Sequence, residues 1–293
     1  MSFLLAHLSD PHIGPLPRMP VRALVGKRLT GVINWHRSRA TIHSMAVLDA
    51  IIDDIAIHKP DHVALTGDLV NVGYPPEFPV AAARLSPLGT PDHVSIIPGN
   101  HDAYVRGSLD AMARVFGPFM CGDDGETGYP YLRVRQNIAL IGMNTGVPTA
   151  PFFATGTMGR PQGERLARLL QDTRKSGLFR VVMIHHPPLR RGVKFGRGLT
   201  DAKSFERILR EEGAELVLHG HNHRFSIHHA AGPSGPVPVL GVGSASAVPG
   251  TPQHLAEYSL IRLTPGGSQP IRIERRGIGL HDRKVSEIGI SVP

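Results

Sequence analysis

The chain has 293 residues, enough for one large α/β domain or two small ones and for a sizeable buried core. Hydrophobic residues at 41 % and charged residues at 19 % exclude a disordered chain and a coiled coil. The net charge of +8 favours anionic partners, and the single cysteine, Cys121, excludes an internal disulfide framework and a cysteine-based zinc site.

Residues Phe3–Leu8 form a short apolar run that predicts a strand. The stretch 18–39 comes next. If helical from Val21, it aligns Val25, Leu29, Val32 and Ile33 on one side. Arg22, Lys27, Arg28, Arg37 and Arg39 supply cations, and Trp35 is the chain's one tryptophan. Gly26 and Gly31 weaken that helix by ~1 kcal/mol each. An apolar face with cations and an interfacial aromatic predicts a cap near the chemistry: a lid, a dimer contact or a contact with an anionic bilayer.

Residues 41–58 predict a helix with Met45, Leu48, Ile51, Ile52 and Ile55 on one face. Asp49, Asp53 and Asp54 lie off it, as a solvated face would place them. Further strands are expected at 62–66, 93–98, 138–144, 180–184 and 215–218, with helices at 163–176 and 202–212. After residue 215 only strands follow, at 237–242, 258–263 and 271–273. The pattern predicts an α/β domain over residues 1–280, closed by antiparallel strands, with 281–293 as a C-terminal tail. No apolar run approaches the ~20 residues of a membrane-spanning helix. The run Phe3-Leu4-Leu5-Ala6 is too short for a secretory signal, so a reducing, cytoplasmic setting is expected.

Seventeen histidines stand against one cysteine, and histidine is the commonest metal ligand. Five expected strand ends finish in metal-ligand residues. They are Leu8-Ser9-Asp10-Pro11-His12, Thr66-Gly67-Asp68, Pro98-Gly99-Asn100-His101-Asp102, Ile184-His185-His186-Pro187-Pro188 and His219-Gly220-His221-Asn222-His223. The carboxyl edge of an α/β sheet is where ligands bind. Asp-x-His and His-x-His place alternate side chains in one direction on an extended backbone. Singly, each motif is an ordinary turn or cap. No packing requirement asks for all five in order. The other histidines, His43 among them, lack such spacing and read as ordinary core or surface residues.

This ordered set resembles the calcineurin-like metallophosphoesterase superfamily, whose pattern is D-x-H, G-D, G-N-H-D, H-x-P and G-H-x-H. The resemblance implies a four-layer sandwich, with two facing mixed β-sheets flanked by helices. It also implies a dinuclear centre holding two divalent or mixed-valence ions, Mn, Fe, Zn or Co. Asp10, His12, Asp68 and His223 would hold one ion. Asp68, Asn100, His185 and His221 would hold the other, with Asp68 bridging. A hydroxide bridging the metals would attack phosphorus in line, and His101 would protonate the leaving oxygen. Asp102 would orient His101 or cap a turn. His186 would face the substrate or stand behind the ligands. Arg190, Arg191 and Lys194, in the cationic loop after His-His-Pro-Pro, would read substrate charge.

Asn71 stands where many members carry an acid, which sets the chain apart from protein Ser/Thr phosphatases. The Gly-Asn-His-Asp and His-His-Pro-Pro forms look more like the class III cyclic nucleotide phosphodiesterase and glycerophosphodiesterase branch. The expected reaction is hydrolysis of a small anionic phosphodiester. A UDP-diacylglucosamine-type pyrophosphohydrolase acting on a membrane-proximal lipid is the alternative within the superfamily, and a non-catalytic scaffold the alternative outside catalysis. The dispersed charge lacks an aromatic-interleaved groove, so no nucleic-acid partner is expected. Oligomeric state is open at this level.

Overall fold

In a computed structural model of the chain, two six-stranded sheets face each other. The structure describes residues 2–24, 26–190, 196–250, 254–280 and 284–293. Its elements are β1 (Phe3–Leu8), α1 (Lys27–Asn34), α2 (Ala40–Ile42), α3 (Met45–His58), β2 (His62–Leu65), α4 (Glu77–Leu85), β3 (Val94–Ile96), α5 (Ser108–Phe116), β4 (Tyr131–Arg135) and β5 (Ile138–Gly142). They continue with α6 (Arg160–Lys175), β6 (Phe179–Met183), α7 (Ala202–Glu212), β7 (Leu216–His219), β8 (Ser226–Gly232), β9 (Gly235–Gly241), β10 (Ala256–Leu263), β11 (Ile271–Ile278) and β12 (Ser286–Ser291).

The first sheet runs β12-β11-β10-β1-β2-β3 and the second β4-β5-β6-β7-β9-β8. Strands β1, β2 and β3 are mutually parallel, as are β5, β6, β7 and β9, while β10 to β12 pair antiparallel. Both sheets are therefore mixed, and the α/β sandwich expected from the motifs is the fold. Side-chain alternation explains the layers. Leu140, Val181, Met183, Leu216 and Leu218 pack in the core shared with the first sheet. Their neighbours Ile141, Val182 and Val217 pack on the other face with Leu166 and Leu170 of α6 and Phe205 and Leu209 of α7. A strand buried on both faces reads as a continuous apolar run, which is why these were legible in sequence.

Three corrections follow. Residues 281–293, expected as a tail, include β12, an edge strand paired with β11. Strands β4 and β8 and helices α4 and α5 were not expected. The two strands are edge strands: β4 alternates polar with apolar residues, and β8 is short of large apolar residues. Asp54, expected on a solvated face, is 8 % exposed. Arg276 grips it with Nε and Nη2 at 2.7 and 3.0 Å, and Tyr258 Oη donates to it at 2.6 Å. Among the described residues no helix is long and apolar enough to cross a membrane.

Buried neutral histidines give the fold an acid limit. His62 is buried in β2, with Nε2 and Ser95 Oγ 2.8 Å apart. Burial, aided by Arg135 and Arg133, lowers its pKa from 6.5 to about 3. The unfolded chain thus binds a proton that the folded chain refuses between these values. Stability contributed by neutral His62 is present above pH 6.5 and lost as pH falls toward 3. The slope from this one group reaches ~1.4 kcal/mol per pH unit. Urea unfolding across that range is expected to show a shallower slope for His62→Asn. An unchanged slope would remove His62 from the account.

A candidate metal centre at the joined sheet edges

The carboxyl ends of β1, β2 and β3 meet those of β6 and β7. Asp10 and His12 follow β1, Asp68 follows β2 and Asn100 follows β3. His185 follows β6, and His221 and His223 follow β7. Hydrogen bonds tie the two sheets together here. His185 Nδ1 donates to Thr66 O at 2.6 Å, and His221 N donates to Asp10 Oδ2 at 2.9 Å. The approach is close enough to require glycine. A Cβ on Gly220 would collide with Ser9 Oγ and stand 2.5 Å from Asp10 Oδ2.

The backbone itself marks the site. Eight described non-glycine residues have positive φ, and five are Asp10, His12, Asp68, His221 and His223. Left-handed backbone at such residues costs ~1–3 kcal/mol each and persists where the surroundings enforce it. Here it turns each side chain off its strand end toward one point.

The atoms that meet at that point could hold a metal ion. His12 Nδ1 lies 3.3 Å from Val70 O, and its Nε2 lies 3.2 Å from His223 Nε2. Two nitrogens bound to one zinc-like ion at ~2.0–2.1 Å sit ~3.3 Å apart in tetrahedral geometry. His223 Nε2 is 3.2 Å from Asp10 Oδ1, a buried oxygen with no hydrogen bond. On the other side, His185 Nε2 is 3.4 Å from Asp68 Oδ2 and 3.2 Å from Asn100 Oδ1. His221 Nδ1 is 2.9 Å from Asn100 Oδ1. Asp68 Oδ2 also lies 3.8 Å from His12 Nε2, so it stands between the two halves. Burial alone would raise the pKa of Asp68, but His185 and His101 beside it hold it well below the usual carboxylate range. A buried anion ringed by imidazole lone pairs fits divalent cations.

Residues 3–225 match the calcineurin-like phosphoesterase family. The chain belongs to that family. It is 27 % identical over 222 residues to a probable cyclic nucleotide phosphodiesterase of Synechococcus, covering 75 % of this chain and 78 % of that one. Over 99 residues it is 34 % identical to the glycerophosphodiester phosphodiesterase GpdQ of Enterobacter lignolyticus, covering 34 % of this chain and 29 % of that one. The fold is similar to a zebrafish (Danio rerio) dimetal phosphatase, with a TM-score of 0.61 and 13 % identity, covering 98 % of this chain and 99 % of that one. This phosphoesterase is thus a phosphoester-hydrolysing enzyme, and its His and Asp groups could hold metal.

The residues around this centre divide differently from the sequence-based expectation. His101 stands on its rim, with Nδ1 donating to Asn71 O at 2.5 Å. Burial and the Arg39 guanidinium push its pKa down to about 3, so the ring carries one proton, on Nδ1. Asp102 does not orient it. The Asp102 carboxylate accepts from Leu69 N, Val70 N and Gly99 N, and so clamps the β2 exit loop to the β3 exit loop. His186 is fully buried beside His221, with Nδ1 and Thr145 Oγ1 2.7 Å apart, and does not line the cavity over the centre. Arg190 turns away from the centre to Glu206, 3.2 Å from Nε. Arg191 and Lys194 lie outside the described residues.

Arg39 was expected only as a cation of the cap. Instead its Nη1 reaches 3.2 Å from His12 Nδ1 and 3.3 Å from His101 Nδ1. The cap folds as α1 followed by a wide helical turn, Trp35–Arg39, which delivers this side chain inward. Trp35 lies half-buried against Gly14, and Arg28 donates to Val72 O and Gly73 O. Three of the groups expected to serve a bilayer contact are thus engaged within the molecule, and Val25 lies outside the described residues.

Over the centre opens a cavity of about 310 Å³, bordered by Arg39, Asp68, Asn100, His101, His221 and His223. Through Arg39, Asn100, His101 and Arg197 it joins a second cavity of about 480 Å³ beneath α1, where Lys27, Tyr104 and Phe153 also face inward. Arg197 comes from the cationic loop after His-His-Pro-Pro that the sequence placed beside the site, whereas nothing local singles out Arg39 among the cations of the cap.

Proposed function

We propose that the protein is a metal-dependent phosphodiesterase acting on a small anionic diester, a cyclic nucleotide or glycerophosphodiester being the model substrates. The convergence of seven ligand residues from both sheets carries the reading. Asp10, His12, Asp68 and His223 would hold one divalent ion, and Asp68, Asn100, His185 and His221 a second, drawn from Mn, Fe, Zn or Co. Bound there, the ions would supply Lewis acidity that activates water and offsets phosphoryl charge.

The chain's own groups do the rest. Arg39 and Arg197 draw the anion into the cavity and fix its free oxygens. A phosphodiester placed beside Arg39 offsets the guanidinium charge that disfavours protonation of His101. His101, held by its Nδ1–H on Asn71 O, takes up a second proton on Nε2 from solvent and donates that Nε2 proton to the leaving oxygen. The cavity under α1 receives the diester's organic substituent. The convergence of all seven proposed ligand residues supports catalysis over a scaffold role.

A panel of phosphomonoesters, cyclic nucleotides, aryl diesters and diphosphates with added Mn²⁺ tests this. Diesters are expected to turn over fastest, and fastest turnover of monoesters would overturn the reading. A lipid-linked diphosphate is the second candidate, favoured by Phe152, 94 % exposed at the rim of the α1 cavity. Arg39→Ala is expected to lower kcat/KM on diesters roughly 10–100-fold, the scale of a lost charge-assisted hydrogen bond. Steady-state kinetics check it, with Arg39→Lys expected to recover part of the loss.

A further inference from the structure

His43 sits between α2 and α3, outside every motif. Its ring centroid lies 4.6 Å from that of His12 and 5.7 Å from that of His223. The ligand-capable nitrogens of the three rings lie within 4.8 Å of one another. His43 Nε2 is buried and has no hydrogen-bond partner.

The other ring nitrogen is accounted for. Ser244 Oγ donates to Asp10 O at 2.7 Å. With that proton committed, Ser244 Oγ is left as an acceptor for Ser246 Oγ, 3.4 Å away. Ser246 Oγ and His43 Nδ1 lie 2.8 Å apart. With the imidazole proton on Nδ1, donating to Ser246 Oγ, Nε2 is left as a bare lone pair. The opposite tautomer would bury an unpaired N–H, at a cost of about 1–3 kcal/mol. A hydrogen bond on the outer nitrogen that fixes the inner one is the usual setting of a metal-bound histidine.

The segment is anchored independently of the cap. Ser44 N donates to Ser246 O at 2.7 Å, and Val248 N donates to Ile42 O at 2.9 Å. His43 also pairs with Ala247 as an isolated bridge. The loop after β9 thus holds the ring in place.

We propose that His43 is a further metal ligand, adding a third imidazole to the ion held by Asp10, His12, Asp68 and His223. The inference rests on the metal centre proposed above. Three imidazoles with two carboxylates suit Zn, Fe or Co better than Mn or Mg, which prefer oxygen.

The test uses the full chain, labelled with ¹⁵N-histidine, stripped by a chelator and reloaded with Zn²⁺. His43→Asn assigns the signal. On loading, the His43 Nε2 resonance is expected to move from the range of a bare ring nitrogen to that of a metal-bound one, with Nδ1 still protonated. Calorimetric titration with Co²⁺ and Mn²⁺ gives a second readout. His43→Ala is expected to weaken one of two sites by at least the ~10–100-fold that loss of an outer partner causes, more for Co²⁺ than for Mn²⁺. Ser246→Ala should weaken the same site less. Circular dichroism of the stripped variants checks their folding. Two filled sites with an unmoved His43 signal would overturn this inference alone. No metal binding by the wild type would overturn the metal centre as well.

Discussion

Asp68→Asn is expected to lower kcat/KM on the preferred diester by at least ~10²–10³-fold, the scale on which one preorganised electrostatic group acts. The reason is position. Asp68 Oδ2 faces His185 Nε2 at 3.4 Å and His12 Nε2 at 3.8 Å, while Oδ1 accepts from His101 N at 2.7 Å. An amide places an N–H on one of these sides and removes the anionic charge that both halves share. Metal content should fall with activity, and elemental analysis alongside kinetics reads both. Asp102→Asn is the informative comparison. Its carboxylate serves backbone N–H groups only, so it should lower thermal stability while retaining far more of the per-metal activity. Wild-type metal stoichiometry and rate in Asp68→Asn would refute the shared-carboxylate arrangement.

His101→Ala should lose activity in proportion to the basicity of the leaving group. General acid catalysis contributes typically ~10²–10⁴-fold, and it matters most when an alkoxide departs. Alkyl diesters are therefore expected to show the larger loss and nitrophenyl diesters a small one. His101 is built for this: Asn71 O accepts a hydrogen bond from its Nδ1–H, and the ring borders the cavity shared with Asp68 and Asn100. Asn71 is itself pinned, its Nδ2 donating to Ile13 O at 2.9 Å. Equal losses on both leaving groups would assign His101 to binding phosphate or holding the site together.

The sequence by itself determined the strands buried on both faces, because continuous apolar runs such as that of β5 need no partner to be recognised. The order and spacing of Asp, Asn and His at strand exits are local properties too, and they carried the resemblance that implied the seven candidate ligands. What it could not determine is which distant segments are carried to that edge. His43 and Arg39 carry no local signature. One is aimed by a serine after β9 and the other by a wide helical turn after α1. Asp68 and Asp102 are both buried acids at strand exits. The resemblance assigned Asp68 to the metals and left Asp102 between orienting His101 and capping a turn, and only its hydrogen bonds from Leu69 N, Val70 N and Gly99 N mark it as a backbone clamp. Arg190 shows the same limit in reverse, for a cation close in sequence to His185 is drawn off by Glu206 on α7. Local spacing sets which chemistry is available, and only the packing of the two sheets and the segments laid across them sets which groups meet, since that depends on contacts between residues far apart in the chain.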